Sequence, residues 1–129
     1  MNSKIDLDLE QIAGLKWLPH IGKNYWNIPK SKRLLIVGES HYVHDTEESR
    51  KDGERRTATR EIIEDMGYWG NRGQTKYFGN LEKTIFGDKH FDRKAFWRSI
   101  AFYNLVQRPM HTSEGRPKEA DFFHGWDVF

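Results

Sequence analysis

The 129 residues carry a formal net charge of +2, 36% hydrophobic and 14% aromatic side chains, a mean hydropathy of -0.86 and no cysteine. The lack of cysteine excludes a disulfide framework, a thiolate nucleophile and any cysteine-ligated zinc or iron-sulfur centre. The length fits a single domain, residues 1–129, whose aromatics supply large buried areas from few side chains.

The opening MNSKIDLDLEQIAG holds acids where a signal peptide has its apolar core, and no run approaches the roughly 20 apolar residues of a membrane span. A cytoplasmic protein without a membrane partner is expected. Leu7, Leu9, Ile12 and Leu15 sit at loosely helical spacing and predict a short amino-terminal helix. Residues 17–29 mix Pro, Gly, Asn and two Trp, which reads as an irregular wrap.

The stretch KRLLIVGESHY, residues 32–42, then organises the chain. Its four apolar residues, 34–37, lie between charge and Gly38, the pattern of a short strand buried on both faces. Open α/β sheets bind ligands at the carboxyl edge of parallel strands, so Glu39, Ser40, His41 and Tyr42 are the first candidates for chemistry.

Residues 43–56 are polar, with interleaved charges and Gly53, and predict a long exposed loop able to close over a substrate. Thr57 or Thr59 caps a predicted helix that runs to Gly67 with Ile62, Ile63 and Met66 inward. The glycine-rich GYWGNRGQTKYFG, residues 67–79, reads as a surface loop. Leu81, Ile85 and Phe86 predict a helix ended by Gly87, and Phe91, Phe96 and Trp97 another, with Asp92 as its cap.

Residues 100–106, IAFYNLV, form the second predicted strand, interrupted only by Asn104. A buried amide costs free energy unless hydrogen-bonded, so Asn104 either satisfies loop backbone groups or faces a site. The loop QRPMHTSEG leads to Arg116-Pro117, which opens a last helix with Phe122, Phe123, Trp126 and Phe129 as its apolar side. A helix so aromatic usually delivers the chain to a further strand, so the domain is expected to be cut short at its carboxyl end.

GESHY has only the first glycine and the serine of a Gly-x-Ser-x-Gly elbow, and His41 and His44 lie in a polar stretch where histidines are most often exposed. No Gly-Lys-Ser/Thr phosphate loop is present. Neither a metal nor a cofactor is expected. Basic residues cluster at 30–33, 50–60, 93–98 and 108–118, either as solvated faces or as nucleic-acid contacts.

The pairing of GESHY with FYNLVQRP and the following RPKEADFF resembles the uracil-DNA glycosylase superfamily. There a motif written GQDPY or GEAPG follows a buried strand, and the single-strand-active branch carries a strand, an Asn and a basic Pro loop. The resemblance covers residues 32–129 and implies an α/β fold, a three-layer sandwich with a central, mainly parallel sheet, that excises uracil or a related damaged base from DNA.

It further implies that Glu39 and Ser40 hold the attacking water and that Gly38, His41, Tyr42 and Asn104 form the base pocket. Arg108, Arg116 and Lys118 would contact the nucleic acid. His41 replaces the family's proline, and Ser40 stands where its members place Asp, Asn or Ala. Two alternatives therefore stand beside it: a noncatalytic nucleic-acid-binding module of the same fold, and an interaction domain that self-associates through its carboxyl-terminal aromatics.

Overall fold

The computed structural model describes residues 3–70 and 76–129. The elements in order are α1 (Lys4–Glu10), β1 (His20–Ile21), β2 (Leu35–Gly38), β3 (Tyr42–Val43), α2 (Glu47–Glu54), α3 (Ala58–Ile62), α4 (Tyr77–Phe86), α5 (Arg93–Ser99), β4 (Ala101–Asn104), β5 (Met110–His111) and α6 (Glu119–Val128). Single 3-10 turns at Tyr25–Asn27 and Lys30–Lys32 bridge β1 to β2, and a π-helical turn, Ile63–Tyr68, extends α3. Of the glycine-rich stretch expected to be a surface loop, residues 71–75 lie outside the described residues. No described helix is long and apolar enough to cross a membrane.

The architecture is mixed α/β. Three strands form one sheet in the order β1-β4-β2, with β2 parallel and β1 antiparallel to β4. A second, two-stranded sheet pairs β3 and β5 in parallel. Both apolar runs singled out in the sequence thus become neighbouring parallel strands, with Gly38 level with Asn104, but only β4 is buried on both faces. β2 ends the sheet and leaves Leu34, Leu35 and Val37 exposed, against the expectation of a strand buried on both sides.

Alternation along β4 sends successive side chains to opposite faces. Phe102 joins Ile63, Phe78, Trp97 and Ile100, which come from the helices on one side, whereas Tyr103 and Leu105 join Leu15, packed by Leu9, Phe122 and Val128. Trp97, Ile63, Val106 and Met110 are completely enclosed. Glycine lets two elements approach this core: a Cβ on Gly67 would press on the Trp97 ring, and one on Gly125 would collide with the Leu105 carbonyl, which fixes how closely α6 lies on the chain after β4.

The stretch 43–56 is not a lid. It is largely α2, whose start is fixed by the Thr46 side chain accepting from Ser49 N at 3.2 Å, with Glu47 and Glu48 in the first turn and a Lys51–Glu47 ion pair one turn apart. Its inward contact is Gly53, which packs on Val43 and whose carbonyl accepts from Trp17 Nε1 at 2.9 Å. Helix α1 is likewise held by one polar fork, with Arg60 donating to both carboxylate oxygens of Asp6 at 3.1 and 2.6 Å and to the Pro19 carbonyl at 2.9 Å. That fork holds the Asp6 carboxyl below its ordinary pKa.

Candidate functional site

Past their register ends, the chains after β2 and β4 continue side by side. Leu105 N donates to the Gly38 carbonyl at 3.0 Å, Val106 N to Glu39 O at 2.9 Å, Met110 N to His41 O at 2.8 Å and Thr112 N to Val43 O at 3.1 Å. The ladder runs through β3 and β5, so GESHY and NLVQRPMH form one continuous edge. Those hydrogen bonds satisfy loop backbone that would otherwise be costly to bury.

Asn104 is buried at this edge, and its carboxamide makes no hydrogen bond among the described residues. Its backbone carbonyl accepts from Gln107 Nε2 at 2.6 Å, and Gln107 Oε1 in turn accepts from Lys16 N at 2.7 Å. Of the two roles open to Asn104 in the sequence, capping of loop backbone therefore falls to Gln107. Gly38 is what lets the amide lie so close, because a Cβ there would overlap Asn104 Oδ1 and stand 2.8 Å from Phe102 Cζ. Gly38→Ala is expected to cost about 1–3 kcal/mol, seen as a lower midpoint in denaturant titration.

Glu39 follows Gly38, its backbone carbonyl held by Val106 N, with Oε1 accepting from Arg116 Nη2 at 3.1 Å and Oε2 from the Tyr42 hydroxyl at 3.3 Å. The Arg116 side chain is 86% exposed, so this ion pair is a surface contact worth at most about 1 kcal/mol and is easily exchanged for another anion. Ser40 Oγ is buried and has no hydrogen-bond partner among the described residues, so no base activates it as a nucleophile. Gly38, Glu39, Tyr42, Asn104 and Arg116 are thus gathered at one strand edge.

His41 does not face outward at this strand edge. Its ring is buried edge-on to Trp17, 4.7 Å between centroids, with Nε2 2.8 Å from Thr59 Oγ1. Burial pushes its pKa down to about 4, so it is a neutral core side chain at physiological pH. The reason is alternation, since the residue between exposed Tyr42 and the strand-end loop turns inward. Thr59, its partner, had no signal in the sequence beyond a helix-capping role.

Arg108 is also committed elsewhere. It forks onto Asp121 at 2.6 and 2.9 Å and reaches Glu114 at 3.1 Å, tying the loop after β4 to α6. These carboxylates raise its pKa further, Arg108 in return holds the Asp121 carboxyl low, and Glu114 is held low chiefly by the His111 backbone N–H with Arg108 adding to it. Lys118 is exposed, and its backbone N donates to Asp121 Oδ2 at 2.8 Å to start α6.

Most of the basic clusters read in the sequence are consumed in the same way. Arg55 pairs with Glu61 and Asp52, Arg56 donates to Leu15 O, Arg93 to Glu82, and Arg33 to the carbonyls of Trp26 and Ile28. A feature with no signal in the sequence is a polar cavity of about 500 Å³ beside β5, where His111 Nδ1 lies 3.4 Å from Asp45 Oδ1. The register of β3 on β5, Val43 beside His111, is what brings these two residues together. No family model, curated protein or solved structure matches the chain, and the site stands on its own geometry.

Proposed function

We propose that this chain is a uracil-DNA glycosylase-like domain, with a central, mainly parallel sheet between helical layers, that takes an extruded base into the cleft at the ends of β2 and β4 and hydrolyses its N-glycosidic bond. The observation that supports this most is the Asn104 carboxamide, buried without a hydrogen-bond partner among the described residues and level with Gly38, the residue before Glu39. A flipped base must be read on its Watson–Crick edge by a fixed group that both donates and accepts, and a primary amide does both.

In this reading Glu39 accepts a proton from water as the water oxygen attacks the anomeric carbon. The carbon–nitrogen bond breaks and its electron pair leaves with the base. The Glu39 carboxylate also stabilises positive charge developing on the sugar. Tyr42 walls the pocket, and Arg116, held among the described residues by its weak pair with Glu39, turns to a flanking phosphate together with Lys118. The phosphate footprint is small, because Arg108 and most other arginines are internally paired.

Incubation of the full chain with uracil-containing single- and double-stranded oligonucleotides, followed by alkali, is expected to give strand breaks at the uracil. Salt-dependent binding without breaks would instead favour a noncatalytic module of this fold, and neither binding nor breaks would refute both.

A further inference from the structure

The face of the main sheet opposite Phe102 carries a contiguous apolar surface on β2, α6 and the turn before β2. Leu35, Val37, Trp26, Trp126 and Phe129 are 42%, 45%, 51%, 61% and 58% exposed. Trp26, Leu35 and Phe129 line one groove, and the rings of Phe129 and Trp126 touch at 5.7 Å between centroids. The open area amounts to on the order of 500 Å², the size of the largest apolar patch of a monomer, which is often functional, and comparable to the apolar part of a standard interface of about 800 Å² per partner.

The same surface borders an unpaired strand. β2 ends the order β1-β4-β2, so among the described residues one of its edges carries no ladder. Ala101 N donates to Leu34 O and Leu105 N to Gly38 O, so with the two-residue period the amides and carbonyls of Leu34, Ile36 and Gly38 face β4. Those of Leu35 and Val37 point outward.

We propose that this edge and face form a homodimer interface in which the β2 strands of two copies pair antiparallel about a two-fold axis at Ile36. Among symmetric registers, that one alone uses both outward residues in each copy, with Leu35 opposite the second copy's Val37 and Ile36 opposite itself. The ends of the strand agree with it. Arg33 at the amino end comes opposite Glu39 at the carboxyl end, whereas a parallel arrangement sets like charges together. Both side chains are already held within their own copy, Arg33 by the Trp26 and Ile28 carbonyls and Glu39 by Arg116 and Tyr42, so this register avoids repulsion without needing a new ion pair. The outcome is one continuous sheet across both copies, with Leu35 and Val37 of both copies merged on one face and no free β2 edge.

Sedimentation of the full chain over a rising micromolar series is expected to show the mass double from 15.3 kDa, with the Leu35 and Val37 amides turning from fast to slow hydrogen exchange over the same range. Val37→Lys places a charge on the shared face and is expected to raise the dissociation constant by at least about tenfold, with the monomer's circular dichroism unchanged. Trp126→Ser, on the α6 side of the surface, gives the same readout should Val37→Lys fail to fold. A monomer at every concentration overturns the proposal, as does a dimer whose Leu35 and Val37 amides stay fast or whose affinity ignores both variants.

Discussion

Glu39→Gln is expected to lower single-turnover abasic-site formation by about 10²–10⁴-fold while leaving oligonucleotide binding within a few fold, the span for removing a positioned general base. In free energy this is about 3–5 kcal/mol of transition-state stabilisation. The split between rate and binding is the diagnostic part. The substituted amide keeps the size of the side chain and an oxygen to accept from Tyr42, so a fall in rate isolates the carboxylate's proton transfer and charge. Asn104→Asp is expected to lower kcat/KM, because an ionised carboxylate accepts but does not donate and cannot pair with both edges of the base. A Glu39→Gln protein with unchanged turnover would remove Glu39 from the reaction.

The second large effect is acid sensitivity set by His41. Its folded pKa of about 4 lies well below the value of about 6.5 expected in an unfolded chain. Between those two values the unfolded chain binds a proton that the folded one refuses, so stability is fully present above pH 6.5 and declines as the pH falls. The slope is about 1.4 kcal/mol per pH unit, and about 3 kcal/mol is lost by pH 4. His20, buried with Nε2 2.8 Å from the Trp97 carbonyl, is shifted down mainly by burial and adds in the same direction. Urea midpoints at pH 7, 5.5 and 4.5 should fall steeply for the natural chain and less steeply for His41→Gln. Equal slopes would exclude His41 as a source of the effect.

The two strands were legible because residues 34–37 and 100–106 are the clearest apolar runs in the chain, but only β4 is buried on both faces. The run at 34–37 became an edge strand with Leu35 and Val37 exposed, because an apolar run shows a strand and not its place in the sheet. The adjacency of the two strands was suggested only by the resemblance that joins GESHY with FYNLVQRP, and the register sets Gly38 level with Asn104. Helix α2 was illegible for the opposite reason. Its stability comes from a Thr46 cap, an ion pair and one glycine against Val43, none of which leaves an apolar stripe. His41 was misread because proximity in sequence to Glu39 says nothing of face. The arginines looked like a phosphate surface because charge clustering does not show which acceptor each one meets, whether near in sequence, as Arg55 meets Asp52 and Glu61, or remote, as Arg60 meets Asp6, and only folding neutralises them.

The central position of β4 has a consequence for synthesis. Both of its partners, β1 and β2, precede it in the chain, and β4 itself begins only at Ala101. As the polypeptide leaves the ribosome, no main-sheet hydrogen bond can form until residues 101–104 have emerged, and the apolar run at β2 has no strand to meet until then. At about 5–20 residues per second that wait lasts several seconds, during which the nascent chain is a ready target for chaperones.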